Sequence, residues 1–311
     1  MFTNKDYIIT IYEEGSFSKA AKRLYISQPS LSASVKRIEE KISLPIFDRS
    51  TFPVSLTEAG QQYIRYALEI REKEQDFERY ISDCTNAVRG SIRIGGSSLF
   101  SSYMLPSMIS EFTNIHPYVN FEIVEDNTKN LIEKLGLGTI DIIIDNAVIE
   151  NDSIKSTEYK TETLLLAVPA NFQVNSKLEK FRLTAKDIKS QKHLSDEYAV
   201  SLNDFAECTF ILLNLENDTG RRANSLFKKY GINPHTMFFL DQQVTAYNIS
   251  RTGIGISFVS DTLIKHTESE DQLFYYRLHD KEIERKIFFY HKRNHYLSTA
   301  CQKFVELNTI K

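Results

Sequence analysis

Long apolar runs are missing from this 311-residue sequence. No stretch approaches the roughly 18 consecutive apolar residues of a membrane-crossing helix. The first residues, Met1-Phe2-Thr3-Asn4-Lys5-Asp6, carry neither the basic start nor the apolar core of an export signal, so the expectation is a cytoplasmic protein with no membrane partner. Cysteine is scarce. Cys84, Cys208 and Cys301 are odd in number, far apart and without metal-ligand spacing, which argues against a disulfide framework and a zinc site and for reduced thiols. Neither sign of charge dominates: 38 Lys and Arg stand against 41 Asp and Glu, a net of −3 that does not by itself point to nucleic acid. Low-complexity tracts are absent too. With 41% hydrophobic and 25% charged residues the chain should fold throughout, into two or three compact units.

What is present is unevenly placed. From Phe17 to Ser50 there are seven bases against three acids, a local net of +4. Helical spacing appears in Tyr7, Ile8 and Ile11, and again in Phe17, Ala20, Ala21 and Leu24, with Gly15-Ser16 as the break. Ser16 or Ser18 can cap the second helix, and Ser27 or Gln28 can open a third whose first turn tolerates Pro29. That third helix places Leu31, Val35, Ile38 and Ile42 on one face and leaves Gln28, Ser30, Ser32, Lys36 and Arg37 on the other. Short helices joined by a tight turn, the later one exposing small polar and basic side chains at its start, suit insertion into a major groove. The segment from Leu44 to Thr57 reads as two short strands around a turn, a wing. An ordinary three-helix unit with a terminal hairpin has the same spacing.

The residues themselves narrow the choice. Glu14-Gly15-Ser16-Phe17-Ser18-Lys19-Ala20-Ala21, Leu24, Ser27-Gln28-Pro29-Ser30-Leu31-Ser32, Glu39-Glu40, Phe47-Asp48-Arg49 and Leu56-Thr57-Glu58-Ala59-Gly60 closely resemble the signature of LysR-type transcriptional regulators. Ile42-Ser43, Ala33 and Phe52 depart from it, standing where that family usually has Leu-Gly and often has two further arginines. The resemblance implies double-stranded DNA as a partner, with Ser27, Gln28, Pro29, Ser30, Ser32, Lys36 and Arg49 as the contact residues.

No proline occurs from Thr57 to Val88, and the segment reads as one long charged helix of roughly 30 residues, about 45 Å. Tyr63, Ala67, Ile70, Phe77, Ile81, Cys84 and Val88 form an apolar stripe broken by Glu74. It fits either a coiled-coil dimer seam or a helix lying on its own domain. The resemblance favours a homodimer that assembles into a tetramer, with Tyr63, Ala67, Ile70, Phe77 and Ile81 in the seam and RNA polymerase as a candidate partner.

Beyond Gly90, strand-like runs at Ser91–Gly95, Val119–Val124, Asp141–Ile144, Thr163–Val168, Thr209–Leu213, Met237–Leu240, Gly255–Val259 and Ile287–Tyr290 alternate with amphipathic helices. Such alternation favours α/β architecture with a mostly parallel sheet covered on both faces. Arg93-Ile94-Gly95, Met104-Leu105-Pro106, Gly138-Thr139-Ile140-Asp141 and Gly253-Ile254-Gly255-Ile256 resemble patterns of the LysR effector module, itself similar to periplasmic binding proteins. The expected organisation is a winged helix-turn-helix over 1–58, a linker and dimerisation helix over 59–89, and a two-lobed effector module over 90–311. Lobe I takes 90–162 and 269–311, and lobe II takes 163–268.

In that family effectors bind between the lobes, which is also where open α/β sheets place ligands. By position Ser97, Ser98 and Leu99 follow the first strand, Thr128 the second, Asn146 the third, and Asn214 a strand of the facing lobe. These are the candidate effector contacts, each with local helix capping as its alternative. The effector's identity is open, and Asn146, where some members have Arg, speaks against a doubly anionic one.

Other signals carry less. Two S-x-x-K matches lack companion motifs, His291 and His295 have no acidic cluster or H-E-x-x-H frame, and Gly253-Ile254-Gly255 lacks the third glycine of a dinucleotide fingerprint. No metal, cofactor or catalytic constellation is expected. A solute-binding protein or small-molecule enzyme on the same two lobes is the competing class, and a regulator with a vestigial pocket is a third.

Overall fold

The structure, a computed structural model, describes residues 2–83, 88–267 and 272–309. Cys84 of the expected stripe and the expected lobe boundary between 268 and 269 lie outside the described residues. Contacts divide the chain into two units, Met1–Ile81 and Ser82–Lys311.

In the first unit, α1 (Lys5–Glu14), α2 (Phe17–Arg23) and α3 (Gln28–Ile42) precede the antiparallel strands β1 (Phe47–Asp48) and β2 (Ser55–Leu56) and the long helix α4 (Glu58–Asp83). Gly15 ends α1 at φ +59°, a conformation that glycine enters without steric cost. Ser16 Oγ accepts from Lys19 N at 3.4 Å to start α2, and Ser27 Oγ accepts from Ser30 N at 3.3 Å to start α3. Ile8, Ile11, Leu31, Val35, Ile46 and Phe47 form the core beneath.

The first turns of α4 belong to that core. Tyr63, Ile64 and Ala67 are buried in it, so Tyr63 and Ala67 leave the expected intermolecular stripe, and the packed body runs past the expected boundary at 58. Gly60 is the local reason: a Cβ there would lie 2.0 Å from Ile46 O, so only glycine lets α4 press on this backbone.

The second unit opens with β3 (Gly90–Gly96), a π-turn at Phe100–Met104, α5 (Leu105–Ile115), β4 (Val119–Glu125), α6 (Thr128–Gly136) and β5 (Ile142–Asp145). Strands β3, β4 and β5 are parallel. The 16-residue β6 (Ile154–Pro169) then leads through α7 (Val174–Lys177), α8 (Ala185–Lys189) and β7 (Ala199–Val200). Next come β8 (Thr209–Leu213), α9 (Asp218–Tyr230), β9 (His235–Leu240), α10 (Gln243–Arg251), β10 (Ile256–Ser260) and α11 (Asp261–His266). The chain closes with β11 (Leu273–Leu278), β12 (Glu284–Lys292) and α12 (Thr299–Thr309).

The strand order is β4-β3-β5-β12-β6-β10-β8-β9, with β11 pairing β6 and β7 off this path. The sheet is mixed rather than mostly parallel: β12 runs antiparallel to β5 and β6, and β6 antiparallel to β10 and β11. A chain that crosses from one lobe to the other and returns must do so on opposed strands, and β6 and β12 are those crossings. Strand β11 pairs with Leu165–Pro169 of β6, which puts it in the second lobe although the sequence division assigned it to the first; the return is made along β12. The apolar run in β6 reads without alternation because both faces are covered. Leu165 and Ala167 enter one core, Leu164, Leu166 and Val168 another.

Buried Asp261, at the start of α11, accepts from Lys265 Nζ at 2.6 Å and Thr163 N at 3.0 Å, with His193 Nε2 at 3.1 Å. Burial opposes its charge, but His193, Lys265 and the Thr163 amide outweigh it and hold the carboxyl at about 2. A carboxyl depressed in the folded state stabilises above its ordinary value and loses that contribution as pH falls through its folded value. Asp261→Asn should lower stability at pH 7 by about 2 kcal/mol and flatten the acid limb between roughly pH 4 and pH 2. Urea titrations across that window check it; an unchanged acid limb would contradict the assignment.

Candidate functional site

The helix-turn-helix face comes from the first unit alone. Gln28, Pro29, Ser30 and Lys36 are exposed along α3, Ser32 is half-buried, and Ser27 is exposed but spends its hydroxyl on capping. Gln28 Oε1 accepts from Ser18 Oγ at 2.9 Å, which orients the amide and leaves Nε2 outward. Among the described residues Lys36 makes only a long contact, 3.9 Å, with exposed Glu40.

Arg49 is differently employed. Its guanidinium sits 4.8 Å from the Phe17 ring centre and 3.3 Å from Glu39 Oε2, while Glu39 Oε1 accepts from Ile46 N at 2.8 Å. Glu39 therefore ties the wing to α3, with Arg49 stacked across the join. The motif matched Glu39, but nothing local in the sequence reveals this function, because the partners lie seven to ten residues away in a turn. Phe52, 86% exposed, stands between the two wing strands.

The second unit holds a cleft lined by Ser97, Leu99, Thr128, Asp145 and Asn146 of the first lobe, by Asn217, Asp218, Thr219, Gln242 and Gln243 of the second, and by Arg285 of β12. Four expected positions thus converge: Ser97, Leu99, Thr128 and Asn146. Ser98 stands at the edge, donating from Oγ to Gln242 Oε1 at 2.7 Å across the lobes. Thr128 Oγ1 donates to Asp145 Oδ2 at 2.8 Å, so neither hydroxyl is idle.

Asn214 does not reach the cleft. Its Nδ2 donates to Asp241 Oδ1 at 2.6 Å and its backbone amide to Leu240 O at 2.9 Å, because the end of β8 faces the end of β9. The chain turns before α9 begins, and Asn217, which caps that helix, takes the cleft position instead. Gly220 sets the fit: a Cβ there would lie 2.3 Å from Asn214 O, so its absence lets the first turn of α9 bring Asp218 and Thr219 inward.

An ion network underlies the cleft. Arg285 and Glu162 are cross-strand partners in the β12–β6 register, with Arg285 Nε 2.7 Å from Glu162 Oε1. Arg285 Nη1 donates to Asp218 Oδ2 at 3.0 Å and Thr219 Oγ1 at 2.8 Å. Glu162 also accepts from Ser260 Oγ and from Asn146 Nδ2, the latter at 3.0 Å. Burial works against Asp218's charge, but Arg285 and Arg222 hold its carboxyl below the usual range. Burial pushes the Asp145 carboxyl up, against hydrogen bonds from Ala147 N and Thr128. The free space is about 20 Å³, room for one water molecule.

A helix-turn-helix reader on the same chain as a two-lobed α/β receptor with a polar cleft defines a ligand-responsive DNA-binding regulator. Two family patterns match: the bacterial regulatory helix-turn-helix protein of the lysR family over residues 4–61, and the LysR substrate binding domain over residues 85–308. The chain belongs to the LysR family of transcriptional regulators. It is 26% identical over 303 residues to the uncharacterized HTH-type transcriptional regulator YcgK of Bacillus subtilis (strain 168), covering 97% of this chain and 92% of that one. Among solved structures, a full-length OxyR variant from Pseudomonas aeruginosa superposes with a TM-score of 0.73 at 19% identity, covering 99% of this chain and 94% of that chain. Full-length CbnR complexed with its target DNA gives a TM-score of 0.63 at 18% identity, covering 99% of both chains. Among the described residues no group of three or more His, Cys, Asp or Glu could hold a metal ion, and no helix is long and apolar enough to cross a membrane.

Proposed function

We propose that the chain acts as a cytoplasmic homodimer that reads an approximately two-fold DNA site through α3 and changes its occupancy or its contact with RNA polymerase when a small molecule enters the cleft. Residues 1–58 form the reader, 59–89 the linker and 90–311 the sensor, with α4 contributing its first turns to the reader core. The observation that carries the sensing half is the convergence of Ser97, Leu99, Thr128 and Asn146 with Asn217, Thr219 and Gln242 from the opposite lobe. The cleft is narrow, with about 20 Å³ of free space between the lobes. Ligand entry therefore parts the lobes and breaks the Ser98–Gln242 hydrogen bond, biasing one arrangement through its different affinity for the two. We read the chain as a regulator and not an enzyme, since Asp218 in the cleft and Glu162 beneath it are tied to Arg285 rather than poised beside a nucleophile.

Assembly rests on surfaces that one copy leaves uncovered. Phe77 and Ile81 of α4 are 64% and 52% exposed, with Ile70 half-buried on the same stripe. On the outermost strand β9, Met237 and Phe239 are exposed beside Phe238, a second apolar surface that suits a further copy and so a tetramer.

The reader assigns distinct parts to its residues. Gln28 contacts a base edge, Ser27, Pro29, Ser30 and Ser32 lie against the backbone, Lys36 pairs with phosphate, and Arg49 fixes the wing. Gln28→Ala should cost about 1–3 kcal/mol of discrimination between the operator and a mismatched site. Lys36→Ala should weaken all DNA alike and lower the salt slope by about one. Fluorescence anisotropy on operator DNA, mapped first by the fragments the protein occupies in cells, measures both. Identical isotherms for parent and both variants would remove α3 from the interface.

A further inference from the structure

Two features of the cleft network are unanswered by the protein itself. Arg285 Nη2 is buried, in a side chain 1% exposed, and has no hydrogen-bond partner among the described residues, although Nε and Nη1 are fully engaged. Beside it, Thr219 Oγ1 accepts from both Arg285 Nη1, at 2.8 Å, and Gln243 Nε2, at 3.2 Å. With both lone pairs taken, the only capacity left to that hydroxyl is donation. Two donors on residues that line the cleft are therefore left without an acceptor among the described residues. Asp145 lines the same cleft and, among the described residues, has no ion-pair partner, its oxygens accepting from Thr128 Oγ1 and Ala147 N, whereas Asp218 is answered by Arg285, Arg222 and Arg221 and Glu162 by Arg285.

We propose that the effector is a small zwitterion, its carboxylate accepting from Arg285 Nη2 and Thr219 Oγ1 and its ammonium set against Asp145. This rests on reading the cleft as the effector site. A dicarboxylate would set its second carboxylate beside Asp145, with one guanidinium nitrogen to receive both charges. A simple amine would answer the acids and leave Nη2 buried without an acceptor, which is unfavourable for a charged donor. A molecule carrying both groups answers the unpartnered donors and the carboxylate together. Burial pushes the Asp145 carboxyl up, and an adjoining ammonium would bring it back down.

Thermal melting of the full chain against the twenty proteinogenic amino acids, propionate, succinate and propylamine tests this. At least one amino acid should raise Tm while propionate, succinate and propylamine do not. The N-acetyl and carboxamide derivatives of that amino acid should each bind more than 10-fold more weakly, a comparison that requires no altered protein. Asp145→Asn should reproduce the loss seen on N-acetylation. Undiminished binding of either derivative, or no shift from any amino acid, overturns the zwitterion. A shift from propionate, succinate or propylamine in its place keeps the cleft as receptor and overturns only the class. An amino-acid shift that persists in Ser97→Trp, where the cleft mouth is filled, instead overturns the cleft reading.

Discussion

Arg285→Met should destabilise the second unit by about 3–5 kcal/mol, lowering its Tm by roughly 10 °C. The reason lies in what is left behind. Glu162, whose side chain is fully buried, loses its guanidinium partner, and Asp218 keeps only the partly exposed Arg222 and Arg221. A buried charge without its counter-ion is expensive because no water replaces the partner. Glu162→Gln added to Arg285→Met should recover much of the loss, since the amide can still bond with Asn146 and Ser260. Melting of the single and double variants separates desolvated charge from lost packing. A single variant within about 1 kcal/mol of the parent would mean that water already reaches the pair.

This network also marks where sequence reading ran out. The reader was legible because its signals are local: Gly15, Ser16, Ser27 and Pro29 each act within a turn of their own position, and the α3 face follows from periodicity alone. In the second unit the strands and the positions after them were legible for the same reason, and Ser97, Leu99, Thr128 and Asn146 reached the cleft. Arg285 and Glu162 were not, because their pairing depends on the β6–β12 register across 123 residues. The one available hint was a charged residue at an inward position of each strand, Glu162 beside the apolar run of β6 and Arg285 ahead of Ile287 and Phe289. Asn214 failed for a related reason. Its strand was correctly placed, but whether a residue past a strand end faces the cleft or the neighbouring strand depends on how the next helix begins, and Gly220 decides that six residues later.

Ile81→Asp together with Phe77→Asp should convert the protein to a monomer without unfolding it and weaken operator binding about 10²- to 10⁴-fold. The proposed seam is shorter than the one periodicity suggests. Tyr63 and Ala67 fit the same stripe, but both are buried beneath their own reader, so a charge at either position would unfold that unit and say nothing about assembly. Phe77 and Ile81 lie further along α4, 64% and 52% exposed, and lose little within one chain when replaced. Two apolar side chains one helical turn apart on each copy fit a coiled-coil seam, where an aspartate would be an unpaired charge. The loss of DNA affinity follows from linkage: in a dimer the second reader binds at an effective concentration set by the first, and a monomer forfeits that advantage with its base contacts intact. Sedimentation velocity and anisotropy on the full operator and on an isolated half-site measure the two consequences separately. The double variant should bind the half-site as the parent's single reader does while losing the full-site advantage. A variant that still sediments as the parent oligomer would transfer the principal interface to another surface, with the exposed side chains of β9 next in line.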